Sequence, residues 1–332
     1  MKCVVIGSGG WGTALAIALH RNGHNTVLWS HDPQKAEAVN NSRENSMLSG
    51  IRLPDGLRVT GDERCVQGCS IVVIAAPSVH IRSVCRCVSP YLDEDAVLVS
   101  ATKGMEADTF LRMSQIVEEE THHCVVALTG PSHAEEVARQ IPTGCLAACA
   151  DKALAEQVQD AFMSETFRIY TSPDVIGAEL GGALKNVIAL CAGVIDGLGY
   201  GDNTLAMLMT RGLTEIARLG IVLGAQRDTF AGLAGVGDLI VTCTSRHSRN
   251  RRAGVLLGKG MTPQQALSEV GAVVEGYYAA GAFYALARKL GVEMPIVEAA
   301  YQVLFQDVSA AEAVAELLHR QRRPELESSV WK

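Results

Sequence analysis

The chain has 332 residues, of which 48% are hydrophobic and 20% charged, with a formal net charge of -7 at pH 7. This length predicts two domains, and the composition is that of an ordinary soluble globular protein. The negative balance argues against a nucleic-acid partner, so an anionic ligand would need a local basic site.

The first predicted element is a strand over residues 3–6, which leads into a glycine-rich turn. Gly7, Gly9 and Gly12 have G-x-G-x-x-G spacing, and a predicted helix follows over residues 12–21. In a dinucleotide-binding turn these glycines permit the bend, the approach of a pyrophosphate and close packing of helix on strand. The helix amino terminus offers unpaired N–H groups to phosphates. A second predicted strand ends about 20 residues further on, which favours this interpretation over an ordinary tight turn.

Strands and helices alternate up to about residue 172. Strands are predicted over residues 3–6, 26–29, 71–75, 97–100, 125–128, 144–149 and 167–170, and a further helix over residues 109–120. The strands are nearly continuous Val/Ile/Leu runs, which is typical of strands buried on both faces. The pattern predicts an α/β, Rossmann-type doubly wound, mainly parallel sheet in a domain of residues 1–175.

Three of these strands end beside residues suited to chemistry, and the first, at 71–75, leads into Ala76-Pro77-Ser78. Ligands of such sheets lie outside the carboxyl ends of the strands. Lys103 follows the strand at 97–100, and this position favours an active-site role over a solvated turn lysine. Pro131, after the strand at 125–128, predicts a helix start. His133 is predicted to be a surface or capping residue.

After Ser172 apolar residues recur at helical spacing, which predicts an all-helical domain over residues 176–332. Its most informative segment is 180–196, where Lys185 and Asp196 share a face with small residues. Glycine costs about 1 kcal/mol relative to alanine within a helix, so we expect this face to pack closely on the first domain. A desolvated lysine near a second cation has a lowered pKa, as a general acid or base requires. The alternative is a snorkelling lysine at a domain interface.

Four arginines fall within residues 246–252 of this acidic chain. The guanidinium group is a planar fork of donors suited to phosphate, and Ser248 and Asn250 add neutral donors. A solvated basic helix start is one alternative, and a nucleic-acid patch is another that the lack of interleaved aromatics disfavours. We expect at least one of these arginines to meet a phosphate. Glu275, beside a glycine, is a candidate for either a cofactor contact or a helix cap.

The ten cysteines lack the spacing of a metal site, and most lie in apolar runs. Free thiols predict a reduced, cytoplasmic protein. No leader pattern or uninterrupted apolar stretch of ~20 residues occurs, so neither a signal peptide nor a membrane span is predicted.

Together these segments resemble the bacterial NAD(P)-dependent glycerol-3-phosphate dehydrogenases. The motifs that carry the resemblance span residues 7 to about 296 and read GSGGWGTALA, WSHDP, ATKGME, TGPSHAEEVA, LGGALKNVIALCAG, GLAGVGDLIVTCTSRHSRNRR, VVEGY and GVEMPI. The resemblance implies a Rossmann-type domain followed by a helical domain like that of 6-phosphogluconate dehydrogenase. It also implies interconversion of sn-glycerol 3-phosphate and dihydroxyacetone phosphate, which feeds phospholipid synthesis. A homodimer is plausible by fold analogy.

The resemblance also implies residue roles. Lys185 would be the proton donor or acceptor at the substrate C2 oxygen, with cationic side chains in place of a metal ion. The implied substrate-binding residues are Lys103, Gly130, Ser132, Lys185, Asn186, Asp238, Thr244, Ser248, Arg249 and Asn250. The implied cofactor-binding residues are Gly7, Gly9, Gly10, Trp11, Gly12, His31, Lys103, Ala134, Arg249, Val273 and Glu275.

Residues at two places bear on how the cofactor is bound and do not decide between NADPH and NADH. Many members of the resembled family have serine where this chain has Gly10, so one contact to the cofactor phosphates is expected to be lost. Asp32 suits a ribose 2′-hydroxyl, whereas His31 suits a 2′-phosphate. The resemblance favours NADPH, and the residues also allow NADH. The alternatives to this function are another two-domain hydroxy-acid dehydrogenase and a dinucleotide-sensing protein without turnover.

Overall fold

The computed structural model describes residues 1–322 and 324–325. Within this part of the chain eight strands form one sheet in the order β3-β2-β1-β4-β5-β6-β7-β8. All neighbouring strands are parallel except β6 and β7. The strands are β1 Lys2–Ile6, β2 Asn25–Trp29, β3 Arg58–Thr60, β4 Ile71–Ile74, β5 Val97–Ser100, β6 Val125–Thr129, β7 Thr143–Ala148 and β8 Phe167–Ser172. The prediction of a mainly parallel, doubly wound sheet is confirmed.

The strand that sequence patterning missed is β3. It has three residues, Arg58–Thr60, and of these only Val59 is buried. It pairs with β2 at the edge of the sheet. By contrast, all four residues of both β4 and β5 are buried. A short edge strand that buries a single side chain therefore lacks the apolar run that marked the others.

Fourteen α-helices are described, most of them after the sheet. They are α1 Gly10–Arg21, α2 Pro33–Ser42, α3 Ile81–Val88, α4 Met113–Thr121, α5 Ala134–Ala138, α6 Lys152–Phe162, α7 Val175–Gly197, α8 Asp202–Val222, α9 Asp238–Thr244, α10 Arg249–Gly258, α11 Pro263–Val270, α12 Glu275–Leu290, α13 Pro295–Phe305 and α14 Ala310–Leu318. Between β8 and α7 the chain passes from the sheet to helices alone.

Two predicted helix starts were wrong. The helix predicted over residues 109–120 begins at Met113, because Phe110 has a φ of 59°, which a right-handed helix does not permit. Pro131 does not begin a helix. The following helix, α5, begins at Ala134 with His133 at its N-cap position.

Helix α7 is the centre of the helical domain. An 18-residue window of it is apolar enough to cross a membrane, but 83% of that window is buried inside the protein, as in the core helix of a soluble protein. The small face of α7 packs on both domains. A Cβ on Gly182 would lie 2.6 Å from Thr129 Oγ1 of β6, whereas one on Gly193 would lie 2.0 Å from Arg251 O of α10. The expected packing on the first domain thus holds only for the first half of α7.

Candidate active site

The glycine-rich turn lies where the strand order of the sheet reverses, because β1 pairs with both β2 and β4. Gly7 has a φ of 117°, and a Cβ on it would lie 2.7 Å from Ala75 O. A Cβ on Gly12 would lie 1.9 Å from Gly7 O, so α1 sits directly on the turn. Gly9 differs, because no described atom lies within 4 Å of the place its Cβ would take. This open space before the first N–H groups of α1 fits the pyrophosphate of a dinucleotide.

Gly10 lies in a crowded part of the turn. A Cβ at this position would lie 2.7 Å from Met47 O, so the segment around Met47 crowds it, and 3.8 Å from the Cβ of Ala134. Ala134 therefore lies beside the glycine turn, as its predicted cofactor role requires. Trp11 is half-buried on α1, and His31 is exposed between β2 and α2.

Strands β5 and β6 bring Lys103, Gly130 and Ser132 together at their carboxyl ends. Lys103 Nζ donates to Gly130 O at 3.0 Å, and Ser132 Oγ donates to the same carbonyl at 2.9 Å. Lys103 Nζ also donates to Asp238 Oδ2 of α9 at 2.6 Å. This ion pair joins the sheet to the helical domain.

Asp238 holds a second lysine. Lys185 Nζ, on α7, donates to Asp238 Oδ1 and, at 2.6 Å, to Thr242 Oγ1. The Thr242 hydroxyl donates its own hydrogen to Asp238 O at 2.7 Å, which aims an oxygen lone pair at the lysine. Asp238 is fully buried, and the Lys185 side chain is 7% exposed. Two ammonium groups therefore share one buried carboxylate.

The electrostatics of this cluster match the sequence expectation for Lys185. Burial lowers the pKa of Lys185 to about 8, the Asp238 carboxylate opposes that change, and the Lys103 charge adds to it. A lysine with a pKa of about 8 exchanges a proton readily near neutral pH.

Two residues predicted on sequence grounds lie apart from this cluster. Asp196 is exposed, and its carboxylate accepts from Arg251 at 2.9 Å. Thr244 is also exposed, and its hydroxyl donates to Ile240 O at 2.8 Å. The threonine that contacts Lys185 is Thr242. The sequence held a signal for it, since residues four apart, such as Asp238 and Thr242, share one face of a helix.

A series of buried, hydrogen-bonded amide groups begins at Asn186, the residue after Lys185. Asn250 Nδ2 donates to Asn186 Oδ1 at 2.9 Å, and Asn250 Oδ1 accepts from Gly276 N at 2.9 Å. Ser248, also buried, caps α10 by accepting from Arg251 N at 3.2 Å. Asn250 and Ser248 thus already have partners that fix the start of α10.

The arginines within residues 246–252 differ in their surroundings. Arg251 is paired with Asp196, and Arg252 is exposed further along α10. Arg249 is the first residue of α10, and its charge acts on the pKa of Glu275. Burial is the larger effect and raises that pKa. Among the four arginines of residues 246–252, Arg249 is the one whose charge acts on Glu275, at the cleft between the domains.

Glu275 crosses this cleft at the first turn of α12. Its carboxylate accepts from Ser78 N at 3.1 Å and from Ser78 Oγ at 2.5 Å, in the loop after β4. Val273 is half-buried in the segment before α12. Ser78 lies in one of the strand ends that the sequence marked as suited to chemistry, but its pairing with Glu275 was not predicted.

The comparisons with known proteins agree with this geometry. The family profiles described as NAD-dependent glycerol-3-phosphate dehydrogenase N-terminus and C-terminus match residues 2–155 and 174–315. The chain is 50% identical to a glycerol-3-phosphate dehydrogenase [NAD(P)+] of Fusobacterium nucleatum, covering 99% of both chains, and 50% identical to one of Moorella thermoacetica, covering 98% of both. It is 35% identical to a solved glycerol-3-phosphate dehydrogenase of Coxiella burnetii, with a TM-score of 0.92 over 96% of this chain and 99% of the other.

Proposed function

The chain belongs to the NAD-dependent glycerol-3-phosphate dehydrogenase family, and from that membership we propose how its residues interconvert dihydroxyacetone phosphate and sn-glycerol 3-phosphate. The observation that carries the proposal is the Lys103–Asp238–Lys185 cluster at the carboxyl ends of β5 and β6. When bound, NADPH or NADH would supply the hydride to C2 in the reduction, and NADP⁺ or NAD⁺ would accept it in the oxidation.

Lys185 is the proton carrier of the reaction. In the reduction its ammonium group donates a proton to the C2 oxygen, and in the oxidation its neutral amine accepts that proton. Lys103 places a second positive charge near the same oxygen, which stabilises the negative charge that develops there. Asp238 holds both ammonium groups in position, because each of its carboxylate oxygens accepts from one lysine.

Arg249 is the proposed phosphate-binding residue. Its guanidinium offers two parallel donors to a phosphate, whereas the Asn250 amide is already engaged with Asn186 and Gly276. Asn250 therefore positions the start of α10. Gly130, Ser132 and Asn186 line the substrate side in this proposal, and Val273 and Glu275 line the cofactor side.

Lys185→Ala is the first test of the assignment. We expect it to reduce kcat by a factor of about 100 or more, since general acid–base catalysis contributes typically 10²–10⁴-fold. Binding of NADPH, followed by its fluorescence, should persist. Lys152→Ala is the matched control, because the Lys152 side chain is 82% exposed on α6. A Lys185→Ala enzyme with the native rate would contradict the proposal.

Arg249→Leu separates this function from that of another hydroxy-acid dehydrogenase. The variant should raise KM for dihydroxyacetone phosphate about tenfold or more, because a charge-assisted pair to phosphate is lost. Arg252→Leu, three residues further along the same helix, should leave KM unchanged, because of these two arginines only Arg249 acts by its charge on Glu275 at the cleft. Equal KM values in the two variants would favour a substrate without phosphate. NADPH binding without any turnover by the native chain would instead indicate a sensor.

The setting of the reaction remains a proposal as well. We infer a cytoplasmic enzyme whose product enters phospholipid synthesis, supported by ten free cysteines. A homodimer stays a prediction, which analytical ultracentrifugation would check.

A further inference from the structure

Lys35 reaches from α2 back to the glycine turn. Its Nζ donates to Ser8 O at 3.2 Å, and the same carbonyl accepts from Asn45 Nδ2 at 2.9 Å. Ser8 lies between Gly7 and Gly9, directly before the open space described above. The bond to Ser8 uses one of the three hydrogens of the ammonium group, so two can still be donated to an anion.

One oxygen of the neighbouring acid is engaged by α2. Asp32 Oδ1 accepts from Gln34 N at 2.9 Å and from Lys35 N at 3.2 Å, so it caps α2. An acidic residue at the end of the second strand ordinarily accepts from the ribose 2′-hydroxyl of NAD. Here Oδ1 of Asp32 is committed to α2, so only Oδ2 could accept from a ribose, and the positive amino end of the helix offsets the carboxylate charge. The repulsion that an acid would exert on a 2′-phosphate is thereby reduced.

We propose that Lys35 is a specificity-determining residue that binds the 2′-phosphate of NADPH. The inference rests on the proposed dinucleotide site and names the residue that decides between its two cofactors. Lys35 lies on the first turn of α2, directly after β2, where the adenosine ribose of a dinucleotide is held in such folds. Exposed His31 lies at the same end of β2.

A purely structural role for Lys35 makes a different prediction. If the lysine only supports the Ser8 carbonyl, its loss would loosen the glycine turn. That turn serves both cofactors alike, so NADPH and NADH would then bind less tightly by similar factors. A role at the 2′-phosphate weakens NADPH alone. The ratio of the two dissociation constants therefore separates the two roles.

The experiment is direct binding, without turnover. Kd is measured by cofactor fluorescence for NADPH and NADH, and by calorimetry for 2′,5′-ADP and 5′-ADP, on native enzyme, Lys35→Gln, Lys35→Arg and Lys152→Gln. We expect Lys35→Gln to raise Kd for NADPH about tenfold or more, and to leave Kd for NADH within about twofold. The 2′,5′-ADP fragment should follow NADPH. Lys35→Arg should keep most of the NADPH affinity, and Lys152→Gln should match the native enzyme.

Three outcomes would overturn the inference. Equal weakening of both cofactors would assign Lys35 to the turn, and unchanged binding of both would remove it from the site. Native enzyme that binds NADH but not NADPH would leave the dehydrogenase proposal standing while refuting the role of Lys35. Native enzyme that binds neither cofactor would refute the proposed function itself.

Discussion

Lys185 needs opposite protonation states in the two directions of the reaction. With its pKa lowered to about 8 by burial, the ammonium form prevails below pH 8 and the amine above it. We expect kcat/KM for glycerol 3-phosphate oxidation to rise about tenfold per pH unit below pH 8 and to level off above it. Reduction of dihydroxyacetone phosphate should instead decline above pH 8. Initial rates from pH 6 to 9.5 check both limbs, and an oxidation rate that is flat over this range would contradict the role.

Thr242 and Thr244 provide a matched pair on one helix. Thr242→Val removes the hydroxyl that accepts from Lys185 Nζ at 2.6 Å, whereas Thr244→Val removes one that only bonds its own helix. We expect kcat to fall about tenfold in the first variant, since an ammonium–hydroxyl hydrogen bond is worth about 1.5 kcal/mol. The second should stay within twofold of native. Steady-state kinetics measures both, and similar rates in the two variants would refute the distinction.

The sequence predicted the two lysines of the site more readily than the residues that they contact. Lys103 and Lys185 were predicted from a strand end and from a small helix face. Asp196 was placed on the face of Lys185, but eleven residues of helix span about 16 Å at 1.5 Å per residue, so the two side chains cannot meet. The contact with Asp238 depends on how α9 docks against α7. A single-sequence pattern does not contain that docking.

At the scale of elements, close helix packing accounts for glycine inside α7. A Cβ on Gly193 would lie 2.0 Å from a backbone oxygen of α10, which cannot move without shifting that helix. Gly193→Ala should therefore destabilise the protein by about 1–3 kcal/mol. Gly281→Ala, inside α12, is the control, because its nearest contact would be 3.7 Å from Phe305 and alanine favours helix. Thermal melting compares them, and equal melting temperatures would contradict this account.

A buried carboxylate ties α8 to α13. Glu215 accepts from Ile296 N at 2.8 Å and from Val297 N at 3.3 Å. Burial raises its pKa from 4.5 to about 7, against the opposing effects of those bonds and of Arg218 and Arg320. Between pH 4.5 and about pH 7 the Glu215 carboxyl binds a proton in the folded state but not in the unfolded state. The free energy of unfolding therefore falls as pH rises through this range, by about 3 kcal/mol in total.

Glu215→Gln tests this coupling. The amide keeps an acceptor for the N–H groups of α13 but does not titrate in this range. We expect the difference in melting temperature between native protein and variant to change from pH 5 to pH 8, with the variant gaining relative stability at the higher pH. A difference that is independent of pH would show that Glu215 does not titrate on unfolding.

The elements that sequence patterning missed share a cause. Residues Leu233–Gly237 form a π-helical turn that leads into α9 and so sets the position of Asp238. Five small and apolar residues carry neither helical nor strand periodicity over so short a length. Like β3, this turn is decided by tertiary contacts: a Cβ on Gly181 of α7 would lie 2.3 Å from Ala234 O of the turn. The long strands and helices could be predicted from their own sequence periodicity, without knowledge of tertiary contacts.

At the scale of the molecule, polar side chains join the two domains around the cleft. Lys103 bonds Asp238 beside the proposed substrate position, and Ser78 bonds Glu275 on the proposed cofactor side. A third contact lies away from the chemistry, where Glu179 of α7 accepts from Arg112 at the start of α4. Hydride transfer requires the sheet domain and the helical domain, which face each other across the cleft, to be correctly positioned. These contacts therefore connect the stability of the interface to the geometry of the reaction.

The Arg112–Glu179 pair offers a test of that connection without touching the site. Glu179 is buried, and its carboxylate accepts from Arg112 at 2.5 Å, from Ser114 N at 2.8 Å and from Ser114 Oγ at 2.6 Å. Arg112→Met leaves this carboxylate without its cation, which should cost about 3–5 kcal/mol. The double variant Arg112→Met with Glu179→Gln removes the charge but keeps an acceptor for Ser114, so it should recover most of the loss.

Calorimetry of the three proteins shows whether this pair couples the domains. We expect Arg112→Met to separate unfolding into two transitions, because the interface would weaken while each domain keeps its own core. The double variant should return toward a single transition at a higher temperature. Since Lys185 and Glu179 lie on the same helix, kcat should fall in the single variant and recover in the double one. A single variant as stable and active as the native enzyme would show that the Arg112–Glu179 pair does not hold the domains together.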